Sequence, residues 1–269
     1  MLLHPIRTTD QYLVETHTDY ARIPGRHWPS DASALIVMNR ETQVVGECLR
    51  KLWYRYTRAD STDPPTATSL RKQAVGRLIE AQERLWLRQS HQLLDEHVLV
   101  EKCHPTDPQL VVAGEIDAVL CGTPPVSVEI KTSHGYSFER EVLDGEARPY
   151  PAHILQGMLY ADLYTAAPDV LFLYIDRGTL ARREHRLSLS ATGHAVINGR
   201  VDMAFQLSAI YARMIDLHHA VQSGRLPQRD YYPIYDEHAL TRLHAQGRLS
   251  AKQVQKFHAG ERFGDWQCA

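Results

Sequence analysis

Apolar and polar positions recur along the chain with two different periods, and each period predicts a type of element. Helical spacing over 42–56 and 70–94 predicts two amphipathic helices. β-prone runs predict five strands, at 98–103, 110–120, 126–132, 170–176 and 180–189. After Pro149 and Pro151 a further helix is predicted at 152–166, and 191–223 is typical of one long closing helix.

The order of these elements predicts an α/β fold with a mixed central β-sheet flanked by helices. Three strands in close succession favour antiparallel pairing, and the helix at 152–166 permits a crossover to the next strand. A length of 269 residues suits one large domain with appendages. We therefore expect a core at 70–223, with helical N- and C-terminal extensions at 1–69 and 224–269.

Composition narrows the possible classes of protein. Hydrophobic residues make up 43% and charged residues 23%, which is typical of a globular domain. The formal net charge of -2 excludes a wholly basic nucleic-acid coat but allows a local basic groove. No apolar run approaches the ~18 residues of a membrane span, and the first residues lack a signal-peptide pattern. We expect a cytoplasmic protein without a membrane partner.

The strand predicted at 126–132 carries the strongest candidate chemistry. Glu129 and Lys131 are two residues apart, so they project from the same face of a sheet. Asp117 lies upstream in an otherwise apolar strand, where an unpaired charge is costly. Mg²⁺ prefers a few carboxylates together with phosphate oxygens and water, so a divalent cation would suit these residues. The alternative for an isolated E-x-K sequence is a surface ion pair.

Two predicted helices add side chains on either side of these strands. Gly76 and Glu80 lie in the helix at 70–94. Gln156 and Tyr160 are four residues apart in the helix at 152–166, so they share one helical face.

Residues 44–176 resemble the PD-(D/E)xK nuclease superfamily, and within it the RecB-like and Cas4-like branch. The matching features occur in family order: a basic-aromatic helix with a cysteine, a G-x-x-x-[H/E] helix, a G-x-[I/V]-D strand, an E-x-K strand and a Q-x-x-x-Y helix. The resemblance implies a restriction-endonuclease-like core and a deoxyribonuclease that uses one or two Mg²⁺ or Mn²⁺ ions.

The resemblance also implies roles for individual residues. The metal-binding set is Glu80, Asp117, Glu129 and Ile130. Lys131 would position or activate the attacking water, and Gln156 with Tyr160 would support the substrate. RecB-like and Cas4-like members usually carry histidine at the position of Glu80, whereas other branches of the superfamily carry glutamate there.

Basic and aromatic residues alternate over 40–58, where five basic side chains accompany two acidic ones. Such a surface could bind single-stranded DNA by phosphate attraction and base stacking. The predicted DNA-binding residues are Arg50, Lys51, Trp53, Tyr54 and Arg55. The alternative is a solvated face with its aromatic side chains in the core.

Cysteines raise the question of an iron–sulfur cluster, which many Cas4-like proteins hold. Cys48 resembles the first ligand of that cluster, and Cys268 resembles the start of its terminal cysteine group. A [4Fe–4S] cluster normally needs four thiolates. Cys103 and Cys121 lie in the strand region and are poor substitutes. We therefore expect no iron–sulfur cluster in this chain.

These features predict a metal-dependent DNA nuclease, most simply an exonuclease on single-stranded DNA or DNA ends, that hydrolyses phosphodiester bonds with metal-activated water. The alternative is a non-catalytic or partner-dependent DNA-binding subunit of a recombination, repair or CRISPR-adaptation complex that keeps the nuclease fold. The expected partners are DNA and either a second copy of the chain or recombination or adaptation proteins.

Overall fold

The computed structural model describes residues 5–17, 22–38, 41–60, 64–139, 148–232, 234–247 and 249–264. The first third of the chain contains helix α1 (Pro5–Thr16), strand β1 (Arg26–His27), a 3₁₀ turn at Pro29–Asp31, strands β2 (Ser33–Met38) and β3 (Glu41–Gly46), and helix α2 (Leu49–Tyr56). Strands β2 and β3 pair antiparallel as a small separate sheet.

The central part alternates longer helices and strands: α3 (Ala67–Gln89), β4 (Leu93–His104), β5 (Asp107–Leu120), β6 (Val126–Ser133), a single turn α4 (Gly135–Ser137), α5 (Pro151–Leu163), β7 (Asp169–Asp176) and β8 (Arg182–Leu189). The last part contains β9 (His194–Ile197), β10 (Arg200–Gln206), α6 (Leu207–Gln222), α7 (Glu237–Ala245) and α8 (Ala251–His258).

The main sheet has the strand order β1-β5-β6-β7-β8-β9-β10. Strand β4 also pairs with β5, as a branch outside this order. Strand β5 pairs antiparallel with both β4 and β6, and the chain then crosses over through α5 so that β7 runs parallel to β6. The predicted antiparallel start, the crossover and the mixed sheet are confirmed.

Helices cover both faces of this sheet. On one face, Ile79 of α3 packs against Ile130 and neighbouring apolar side chains. On the other face, α5 buries Ile154, Leu155 and Met158 in the largest apolar cluster. Gly157 allows this close approach, because a Cβ atom there would collide with the ring of Phe172. The sheet therefore separates α3 from α5, and β6 contacts both.

Two predicted helices are partly wrong. Residues 42–56 form strand β3 followed by helix α2, because β-branched Thr42 and Val44 pair with β2 and Gly46 turns the chain at a φ of 92°. Residues 191–223 form the β9–β10 hairpin before helix α6 begins. Asn198 and Gly199 both have positive φ, as a tight hairpin turn requires, and their Asn-Gly sequence is the signal that helical spacing obscured.

The proposed boundaries at residues 69 and 223 stay a prediction. Strand β1 pairs with β5, and Ala34 and Ile36 of β2 join the same apolar cluster as α5. After α6, helices α7 and α8 form a smaller cluster around Leu240, Leu243 and Phe257. Within the described ranges, no helix is both long enough and apolar enough to cross a membrane.

Candidate active site

Asp117 and Glu129 lie where strands β5 and β6 separate. The two strands pair only from Leu120–Val126 to Ala118–Val128, so these carboxylates belong to the first residues beyond the last pair. The N–H of Ile130 then has no β5 carbonyl to bind, and it donates instead to Oδ2 of Asp117 at 2.7 Å. The separation of the strands thus places a carboxylate where a ladder hydrogen bond would otherwise form.

Two residues from other elements contact β5 beside this separation: Tyr160 of α5 and Pro29 of the 3₁₀ turn. The Tyr160 hydroxyl donates to the main-chain carbonyl of Glu115 at 2.9 Å. A Cβ atom on Gly114 would lie 2.9 Å from Cδ of Pro29 and 3.0 Å from Cε1 of Tyr160. Gly114 is therefore required for this close approach, which explains the glycine of the G-x-I-D sequence.

Glu129, Lys131 and Gln156 form a closed triangle of hydrogen bonds. The Lys131 ammonium donates to Oε1 of Glu129 at 2.6 Å and to Oε1 of Gln156 at 2.9 Å. Nε2 of Gln156 donates to Oε1 of Glu129 at 2.8 Å. Glu129 and Lys131 therefore do project from one face of the sheet, as predicted, and that face is covered by α5.

Burial strongly affects the titration of these groups. It raises the pKa of Asp117 well above its ordinary value, and the nearby carboxylates of Glu129 and Glu80 raise it further. Burial also raises the pKa of Glu129, although the ammonium of Lys131 opposes that shift. The pKa of His153, one helical turn before Gln156, is lowered to about 3 by burial and by Lys131, so this imidazole is neutral at pH 7.

One oxygen of Glu129 has no partner. Oε1 accepts two hydrogen bonds, whereas Oε2 is buried without a hydrogen bond among the described residues. A buried carboxylate oxygen without a donor is costly, and a divalent cation would satisfy it. The donor set of Asp117 and Glu129 thus fits Mg²⁺ or Mn²⁺.

Glu80 and Ile130 contribute less directly. Glu80 forms an ion pair with Arg84 on its own helix, and in the described part of the chain no three His, Cys, Asp or Glu side chains are gathered closely enough to hold a metal ion. The side chain of Ile130 is buried and apolar, so only its main-chain carbonyl could bind a cation. Both assignments stay predictions.

A groove of about 510 Å³ lies between α3 and the end of β6, and Lys131 is part of its lining. Four basic side chains and Glu80 line it; the basic ones are Lys72, Arg77, Lys131 and Arg177. Gly76 brings α3 close to β6, since a Cβ atom there would lie 3.1 Å from Oγ1 of Thr132. The groove is thus cationic, and Lys131 joins it to Glu129.

Comparisons with known proteins include a similar solved structure. No family model and no curated protein matches the chain. A solved structure described as "Crystal structure of SSO0001" is 15% identical, with a TM-score of 0.47, over 82% of this chain and 86% of that chain. Similarity of this degree says nothing about activity. Only the site itself carries information about chemistry.

The predicted site residues are therefore only partly brought together. Asp117, Glu129, Lys131 and Gln156 form one cluster, and Tyr160 contacts the main chain beside it. Sequence reasoning missed the groove residues Lys72 and Arg177. Arg177 directly follows β7, which runs parallel to β6, and the carboxyl ends of parallel strands are a frequent place for ligands.

Helix α2 lies elsewhere, packed against α6 through Leu49, Leu52 and Tyr56. The side chains of Arg50 and Trp53 donate to the carbonyls of Pro227 and Ala220. Tyr54 and Arg55 are exposed, and DNA binding by the predicted set stays a prediction.

Among the cysteines, Cys48 is buried whereas Cys103 and Cys121 are exposed. Cys268 lies outside the described residues, and so does Arg40, one of the five basic residues of 40–58. The expected lack of an iron–sulfur cluster stays a prediction.

Proposed function

We propose that this chain is a metal-dependent DNA nuclease with a restriction-endonuclease-like core of the PD-(D/E)xK type. One observation carries the proposal: Asp117 and Glu129 stand where two strands separate, Lys131 is hydrogen-bonded to Glu129, and one oxygen of Glu129 has no hydrogen-bond partner among the described residues. Structural ion pairs rarely leave such an oxygen unsatisfied, because its burial costs free energy.

Asp117 and Glu129 are the residues that would hold the metal ion. When bound, a divalent cation supplies charge stabilisation at a phosphate and lowers the pKa of water. Mg²⁺ and Mn²⁺ accept carboxylate oxygens and keep open coordination positions, so a two-carboxylate site suits them. Glu80 is a further candidate ligand, provided that it releases Arg84.

Lys131 and Gln156 organise the rest of the site. The Lys131 ammonium lies between the buried Glu129 and the groove, so it is placed to orient a nucleophile beside an incoming phosphate. Gln156 holds both Lys131 and Glu129, and so it fixes the direction of the ammonium group. His153 is neutral at pH 7, so it adds no positive charge beside Lys131.

The test is digestion of end-labelled single-stranded and double-stranded DNA by the purified chain with Mg²⁺, Mn²⁺ or a chelator. Asp117→Asn is the matched control, because an asparagine oxygen can still accept from the N–H of Ile130 while the metal-binding charge is lost. We expect metal-dependent cleavage by the wild type only. Equal cleavage by the Asp117→Asn protein would refute the proposal.

A second function is favoured by one observation, the ion pair that engages the candidate ligand Glu80 with Arg84. A non-catalytic or partner-dependent DNA-binding subunit would leave Glu80 in that ion pair. DNA binding without cleavage, at any metal concentration, would favour this role.

A further inference from the structure

The groove between α3 and the end of β6 carries basic side chains that have no ion-pair partner in the described parts of the chain. Lys72, Arg77 and Arg177 line it, and among the described residues none of the three forms an ion pair with a carboxylate. Glu80, the acidic residue of the lining, is paired with Arg84. Like charges brought together in a groove repel one another, so this arrangement favours an anionic ligand.

Arg177 is held in place by the main chain on both walls of the groove. Its Nε donates to the carbonyl of Ser133 at 3.3 Å, and its Nη1 donates to the carbonyl of Lys72 at 3.3 Å. The guanidinium thus links the end of β6 to α3 with only part of its five donors. The remaining donors of this planar group are available to a bidentate acceptor such as two oxygens of a phosphate group.

The groove and the candidate active site share one side chain, that of Lys131. Lys131 lines the groove and at the same time donates to Glu129. A polynucleotide with one phosphate at Asp117 and Glu129 would therefore run past Lys131 into the groove, where its next phosphates meet Arg177, Lys72 and Arg77.

We infer that Lys72, Arg77 and Arg177 form a clamp for the DNA backbone, with Arg177 contacting a phosphate next to the one that is cleaved. This inference rests on the proposed nuclease function. It assigns Arg177 the part of a substrate-positioning residue, because its carbonyl contacts fix a guanidinium at the side of the reacting phosphate.

Binding is measured first, with Asp117→Asn as the background so that no substrate is consumed. A fluorescent single-stranded oligonucleotide is titrated in chelator at several salt concentrations. We expect Arg177→Ala to weaken binding about tenfold at low salt and to reduce the salt slope by about 0.7, the value for one phosphate contact on single strands. Arg77→Ala, whose exposed side chain forms no ion pair in the described structure, should act in the same direction.

The matched control is Arg200→Ala, which removes an exposed arginine from β10, at the far edge of the sheet. Its affinity and salt slope should equal those of the background. If Arg177→Ala and Arg77→Ala both bind like Arg200→Ala, the clamp is refuted.

Cleavage then locates the contact along the strand. Oligonucleotides that carry one neutral methylphosphonate linkage are digested by the otherwise wild-type chain with Mn²⁺. We expect cleavage to be suppressed at a fixed offset from the neutral linkage, and this gap should disappear in Arg177→Ala. A gap of equal depth in both proteins overturns the inference. Absence of all cleavage by the wild type refutes the nuclease function instead, while the binding data still decide the clamp.

Discussion

The charged and aromatic side chains of helix α2 bind other segments of the chain. At the point where β5 and β6 separate, beside Asp117 and Glu129, the charged side chains bind one another instead. We call this point the β5–β6 junction. In α2, Arg50 and Trp53 bind main-chain carbonyls that follow or end α6. At the junction, Lys131 and Gln156 bind one oxygen of Glu129, and in the described part of the chain its second oxygen has no hydrogen-bond partner. Contacts of the first kind stabilise a fold, whereas those of the second kind are retained at a cost.

The free-energy cost at the junction is visible in the pKa values of its two carboxyl groups. Burial raises the pKa of both Asp117 and Glu129, which means that their charged forms are unfavourable in the folded chain without a cation. Perturbed carboxyl groups of this kind cluster at functional sites, although structural networks also produce them. The comparison therefore predicts opposite responses to mutation: loss of activity at the junction and loss of stability in α2.

Removal of a junction carboxylate should have the largest effect. We expect Glu129→Ala to reduce cleavage by more than about a thousandfold, because a metal ligand supplies several kcal/mol of charge stabilisation. Rates are measured under single-turnover conditions, with circular dichroism as the control for folding. A folded Glu129→Ala protein that cleaves at the wild-type rate would show that this carboxylate plays no part in the chemistry.

Lys131→Ala should have a smaller effect on cleavage, about a hundredfold, since one positioned donor near the reacting group typically contributes that much. Metal binding should persist, because Asp117 and Glu129 remain. Isothermal titration with Mn²⁺ and single-turnover rates separate the two properties. The idea fails if Lys131→Ala loses metal affinity in parallel with its rate, because lysine would then act through the carboxylates.

Regular elements explain why the junction was predicted in such detail. Glu129 and Lys131 lie in a strand, and Gln156 and Tyr160 lie in a helix, so residue spacing alone fixes which side chains share a face. The separation of β5 from β6 could not be predicted in the same way, because the contacts that Tyr160 and Pro29 make with β5 beside it join distant parts of the chain. Such long-range packing leaves no periodic trace in the sequence.

The groove and the packing of helix α2 were harder to predict from the sequence, because they too depend on long-range packing. Arg177 belongs to the loop after β7, and its place beside Lys72 depends on how α3 packs on the sheet. The basic-aromatic character of α2 was visible, but burial of Tyr56 and the hydrogen bond of Trp53 depend on α6, about 160 residues further along the chain. The sequence of α2 therefore indicated a basic-aromatic surface, but not which of its side chains pack against α6.

In α2, Trp53→Ala should lower the free energy of unfolding by about 2 kcal/mol, since it removes a part-buried ring and its hydrogen bond to Ala220. Tyr54→Ala is the matched control, because Tyr54 is 42% exposed and its loss should cost little. Urea denaturation measures both. Equal stability of the two variants would mean that α2 is not fastened through Trp53, and it would strengthen the interpretation of this helix as a DNA-binding surface.

The smallest effect, and the one most specific to the junction, concerns pH without metal. The folded chain holds a proton on Asp117 to a higher pH than the unfolded chain does, because burial and neighbouring carboxylates raise this pKa. Between the unfolded and folded pKa values the folded state therefore binds more protons, and stability falls as pH rises above about 4, by about 1.4 kcal/mol per unit of pKa shift.

Asp117→Asn removes this proton exchange while keeping an acceptor for Ile130, so its stability in chelator should fall less steeply with pH. Denaturation in chelator from pH 4 to pH 8 compares the two proteins. Parallel curves would mean that ionisation of Asp117 costs the folded chain no stability.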